Sequence, residues 1–78
     1  MHKEIDYILE NIRLIRVQKG LTIDDVAGKS EVSRSNLYYI ESKQKNPTLY
    51  TLYRLAKALD VDIKDFFQEP TKRNKPML

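Results

Sequence analysis

Arg34, Ser35, Tyr38 and Tyr39 are the residues of this chain best equipped for chemistry, and their spacing gathers them on one side of a helix. At about 100° per residue, Ser33, Leu37 and Ile40 fall on the other side. A short helix with an apolar back and a front of arginine, hydroxyl and phenols suits a nucleic-acid groove. It suits neither a catalytic pocket nor a coiled-coil seam.

Other candidate chemistry is thin. Asp24 and Asp25 are adjacent, so on a helix they diverge by about 100° and do not converge on one substrate; capping is the role they fit. His2 is the single histidine and lies at a terminus, and the chain has no cysteine. There is accordingly no metal-ligating cluster, no serine with a histidine partner and no disulfide. No glycine-rich phosphate loop is present. The expectation is a non-enzyme with no metal, cofactor or small-molecule ligand.

The elements that must position the Arg34 face read as five helices with no credible strand. The first spans about Lys3 to Lys19, with Ile5, Ile8, Leu9, Ile12 and Ile15 at spacings of three and four. Gly20 stops it. Thr22 caps the second helix, and Asp25 three residues later completes a variant capping box. Val26 and Ala27 face inward, and Gly28 to Val32 forms the turn. Ser33 caps the third helix, which ends near Ser42. After the polar loop SKQKNP, Thr48 caps a fourth helix striped with Leu49, Leu52, Leu55, Ala56 and Leu59. Asp62 caps a short last helix carrying Ile63, Phe66 and Phe67.

Seventy-eight residues make one domain with a small core. Residues 1–69 form that domain, and the basic tail from Pro70 to Leu78 is expected to be disordered. The net charge of +3 needs care: the last nine residues hold three of the 14 bases and no acid. That leaves eleven bases against 11 acids in the folded part. A pI of 9.2 therefore mostly reports the tail and is weak evidence for a nucleic-acid partner. No apolar run approaches the ~18 residues of a membrane span, and the alternating start MHKEIDYILE is no signal peptide. A soluble cytoplasmic protein is expected.

With these elements in order, the chain resembles the Cro and phage-repressor helix-turn-helix family, often called XRE, from about Ile12 to Phe67. The resemblance rests on the opening IRLIRVQKGLT, Ala27 in the second helix, the pattern VSRSNLYYIE, the NP of the next loop and the ending LYRLAKALDVDIKDFF. It implies an all-α, five-helix lambda-repressor-like DNA-binding domain whose third helix enters the major groove. By position, it implies that Arg34, Ser35 and Tyr39 read bases, flanked by Ser33 and Tyr38. It also implies that Thr22, Ser42, Lys43, Gln44 and Lys45 approach the DNA backbone, and that Arg16 and Glu41 pair as a structural clamp. Arginine's planar fork matches the two acceptors of guanine. Tyr39 could offer its hydroxyl to a phosphate or base, or its ring to a thymine methyl.

The chain departs from the family in three places. Ile23 stands where many members carry Gln, which suggests packing or an apolar contact. Glu31 and Lys43 stand where many carry Gly, which implies strained positive-φ backbone at both. Tyr50 and Tyr53 share a face of the fourth helix; they either pack partly in the core or form a dimer surface with Phe66 or Phe67. The function implied is a sequence-specific transcriptional regulator, a repressor that binds a two-fold symmetric operator as a homodimer. Within the class, a restriction–modification controller or an antitoxin is the alternative. Outside it, the rival is a protein–protein interaction module on the same scaffold.

Overall fold

Three capping hydroxyls and four left-handed residues punctuate the chain, and helices fill the intervals. The computed structural model describes residues 2–70. Among these, four α-helices are present: α1 (Lys3–Gln18), α2 (Ile23–Ser30), α3 (Arg34–Glu41) and α4 (Leu49–Leu59). A single 3₁₀ segment, Ile63–Phe67, stands where a fifth α-helix was expected. Five residues between the Asp62 cap and an extended Gln68 leave room for little more than one tight turn. No strand occurs among the described residues. No helix there is long and apolar enough to cross a membrane. The expected disorder of the tail concerns Pro70 to Leu78, of which 71–78 lie outside the described residues.

The helix starts follow the sequence. Thr22 Oγ1 accepts the Asp25 amide at 3.0 Å while Asp25 Oδ2 accepts the Thr22 amide at 2.9 Å, a reciprocal capping box. Ser33 Oγ accepts from the Asn36 amide at 3.1 Å, and Thr48 Oγ1 from the Thr51 amide at 3.0 Å.

The helix ends use left-handed residues. Gly20 (φ 71°) lets the Leu21 amide reach back to the Arg16 carbonyl at 3.1 Å. Lys43 (φ 65°) and Asp60 (φ 59°) close α3 and α4 with the same backward bond, from Gln44 to Tyr39 and from Val61 to Ala56. Glu31 (φ 60°) ends α2. This helix runs three residues further than its sequence suggested: Gly28, Lys29 and Ser30 are helical, and the turn shrinks to Glu31, Val32 and Ser33.

The core is the set of apolar stripes the spacing predicted. Leu9, Ile12, Ile15, Val26, Leu37, Ile40, Leu55, Leu59 and Phe66 are all but fully buried. Leu49 is a correction. The spacing places it in the α4 stripe, but it occupies the helix's first position and is exposed, so the buried stripe starts at Leu52. Phe66 is another. Proposed as a dimer contact, it is wholly buried and belongs to the core. Asn11, which no periodicity flagged, is buried on α1 and donates from Nδ2 to the Phe66 and Gln68 carbonyls at 2.8 and 2.6 Å. It ties the 3₁₀ segment to α1 and satisfies carbonyls that a single turn leaves open.

Candidate nucleic-acid interface

The outward face of α3 is set by what its other face buries. Leu37 and Ile40 have no exposed surface, and Val32, 6% exposed, anchors the turn before them. Ser30, also buried, takes the Val32 amide on its Oγ at 3.1 Å. With the rotation of the helix so determined, Arg34, Ser35, Tyr38 and Tyr39 are exposed together. The two phenol rings meet edge to face, 5.6 Å between centroids. Eight residues span about 12 Å at 1.5 Å per residue, and a helix about 10 Å in diameter fits a major groove ~12 Å wide.

Ile23, on the first turn of α2, is half-buried and packs against the core. It also walls an open concavity of about 300 Å³ with Arg34, Ser35, Tyr38 and Tyr39. An apolar side chain thus lines the depression beside the Arg34 face.

An arginine–carboxylate pair lies at each end of α3. At the C-terminal end, Arg16 donates from Nε and Nη2 to the two Glu41 oxygens at 2.7 and 2.9 Å. Its Nη1 donates to the Leu21 carbonyl at 2.8 Å. One guanidinium on α1 therefore holds both α3 and the segment that leads into α2. The Glu41 hydrogen bond raises the Arg16 pKa above its ordinary value, against the opposing effect of burial. At the N-terminal end, Arg34 Nε lies 2.6 Å from Asp24 Oδ1 on α2. Sequence reasoning found the first pair through the family resemblance and missed the second. No local pattern joins residues ten apart across a turn.

Around this face, Thr22, Ser42, Lys43, Gln44 and Lys45 are all exposed. Their polar atoms are not equally available. The Thr22 hydroxyl accepts the Asp25 amide in its cap and also faces the Asp25 carboxylate. The Ser42 hydroxyl donates its proton to the Tyr38 carbonyl at 2.9 Å and accepts from Gln44 Nε2 at 3.0 Å. Lys43 Nζ lies 3.6 Å from Glu10 Oε1 on α1. Asp25, held by the Thr22 amide first and its hydroxyl second, has its pKa lowered and stays charged at the start of α2.

The remaining residues lie elsewhere. Tyr50 and Tyr53 are exposed on α4, each beneath a cation: Arg54 lies 4.8 Å from the Tyr50 ring centre, and Lys57 lies 5.7 Å from that of Tyr53. Arg54 also reaches Glu31 at 3.1 Å. Phe67 is half exposed, unlike its neighbour Phe66. Among the described residues no group of three or more His, Cys, Asp or Glu could hold a metal ion.

Residues 12–66 match the HTH_3 helix-turn-helix family model. The chain is 43% identical over 51 residues to an uncharacterized HTH-type transcriptional regulator, y4dJ, of Sinorhizobium fredii, covering 65% of this chain and 66% of that protein. It is 33% identical over 64 residues to the HTH-type transcriptional regulator PuuR of Escherichia coli, covering 82% of this chain but 35% of PuuR. The chain thus spans no more than about two thirds of these curated relatives. Among solved structures, the restriction–modification controller protein C.AhdI from Aeromonas hydrophila superposes with a TM-score of 0.79 at 29% identity, over 85% of this chain and 100% of that one. The controller protein C.Esp1396I, solved as a tetramer with its natural 35 base-pair operator, superposes with a TM-score of 0.76 at 28% identity, over 87% and 100%.

Proposed function

The chain belongs to the XRE-type helix-turn-helix (HTH_3) family, and from that premise we propose that it is a sequence-specific DNA-binding transcriptional regulator acting through the outward face of α3. The observation that carries the reading is the division of α3: Leu37 and Ile40 are sealed in the core while Arg34, Ser35 and Tyr39 stand in solvent. Arg34, in the first turn, is the reader of a guanine through its donor fork. Ser35 adds a less selective hydrogen bond. Tyr39 contributes its hydroxyl or its ring, with Ser33 and Tyr38 flanking.

Thr22, Lys43 and Lys45 serve the phosphate backbone, with Ser42 and Gln44 bracing each other beside them. Each phosphate neutralised steepens the salt dependence of binding by about 0.9 in the log–log slope. One small reading helix supplies limited specific affinity, so the protein acts as a homodimer on a two-fold symmetric operator, its half-sites about 34 Å apart. Tyr50, Tyr53 and Phe67 are the exposed aromatic candidates for the subunit contact. Repression by covering a promoter is the simplest mechanism.

A controller protein of a restriction–modification system is the second reading. It is favoured by the match to C.AhdI along that chain's full length. Gene neighbourhood separates it from an ordinary repressor.

Selection from random duplexes followed by footprinting tests the reading. A symmetric site is expected, and Arg34→Ala is expected to erase preference at one or two base pairs while weak nonspecific binding persists. Failure to bind any duplex at low ionic strength would overturn the proposal. Salt-insensitive capture of a protein partner would then favour the interaction-module rival.

A further inference from the structure

The geometry points to Asp24 as a specificity-determining residue: its carboxylate positions the Arg34 guanidinium for base reading and lowers the attraction of that cation to phosphates. This inference rests on the DNA-reading role of Arg34. Two carboxylates occupy the first turn of α2, and their tasks divide. Asp25 is taken up by the Thr22 amide in the capping box. Asp24 instead meets Arg34 at the start of α3, with 2.6 Å between Oδ1 and Nε.

Both helices that carry the pair are held from behind, α2 by buried Val26 and α3 by buried Leu37 and Ile40. The two helix starts are therefore fixed relative to each other, and the pair forms between the exposed side chains they carry. A guanidinium has five N–H donors. A carboxylate on its Nε side leaves one N–H each on Nη1 and Nη2 along the outer edge, the edge that matches guanine O6 and N7. With 75% and 70% of the two side chains exposed, the pair stabilises the free protein little. Its effect appears on the complex, where water is displaced and the attraction between the two charges strengthens. On random DNA the same carboxylate opposes phosphates near Arg34, which disfavours the wrong partner as well as favouring the right one.

The test compares wild type, Asp24→Asn, Asp24→Glu, Arg34→Ala and the Asp24→Asn/Arg34→Ala double variant. Each is titrated against the selected operator, its single-base-pair substitutions and a random duplex over a salt series. Asp24→Asn is expected to weaken discrimination at the Arg34 base pair about tenfold. Its binding to the random duplex should strengthen and show a steeper salt slope. The double variant should match Arg34→Ala at that base pair, and Asp24→Glu should retain most of the preference. A merely structural role would instead lower affinity for every duplex by one common factor, and that result overturns the inference. So does an intact preference in Asp24→Asn when Arg34→Ala has lost it, with the reading of Arg34 left standing. If Arg34→Ala keeps the preference, the base-reading role of Arg34 falls and that of Asp24 with it.

Discussion

The two ends of α3 are each tied to another helix by an arginine–carboxylate pair, and the two pairs do different work. At the C-terminal end, Arg16 and Glu41 are joined by two hydrogen bonds, with only 14% and 6% of their side chains exposed. At the N-terminal end, Arg34 and Asp24 approach as closely but lie in water. Burial is the difference that matters. A desolvated charge must keep its partner or be left stranded, so the first pair pins the helix in place. A hydrated pair can be broken and remade at little cost, so the second leaves an arginine oriented yet available to a ligand. One short helix thus has an anchored end and a presenting end.

The strongest way to break this comparison is to remove a partner at the anchored end. Glu41→Ala strands the Arg16 guanidinium beside the core, and a loss of about 2–3 kcal/mol in urea denaturation is expected. A loss under half a kcal/mol would make the two pairs equivalent. Next in size is Lys43→Gly. Lys43 closes α3 at φ 65°, a conformation glycine adopts freely. The variant should gain about 0.5–1 kcal/mol of stability. The proposed phosphate role of Lys43 further predicts weaker binding to all duplexes, with a flatter salt slope. A parallel change in stability and affinity would contradict the separation of anchoring from binding. The smallest effect belongs to the presenting end: Asp24→Asn should alter stability by less than about 0.5 kcal/mol, the usual range for exposed substitutions. A larger loss in the same denaturation series would give that pair a structural role.

The local grammar of the chain was legible before any coordinates. Thr22, Ser33 and Thr48 were readable as caps because a hydroxyl before an apolar-periodic run satisfies the free amides of a first turn, and each does so. The family resemblance marked Glu31 and Lys43 as positive-φ positions, and both are. What escaped was decided at the edges of elements. α2 continues through Gly28 because the buried Ser30 and the left-handed Glu31 end it later than a glycine suggests. Leu49 keeps the helical spacing of its stripe but sits at the helix start in solvent. Phe66 and Phe67 are indistinguishable by type, yet one is sealed and the other half exposed. Asn11 reads as a polar interruption in an amphipathic helix and turns out to be buried, holding two carbonyls.

The candidate site divides along the same line. Periodicity alone determined that Arg34, Ser35, Tyr38 and Tyr39 share a helix face opposite Leu37 and Ile40, because 100° per residue is a property of the backbone whatever surrounds it. The same holds for the capping of α2 by Thr22 and Asp25, which lie within one turn of each other. Tertiary structure alone decided which side chain meets Arg34, that Ile23 walls the depression beside it, and which of two adjacent phenylalanines fills the core. Those outcomes depend on the relative placement of elements separated in the chain, and the many buried contacts that set such placement leave no periodic trace in any one segment.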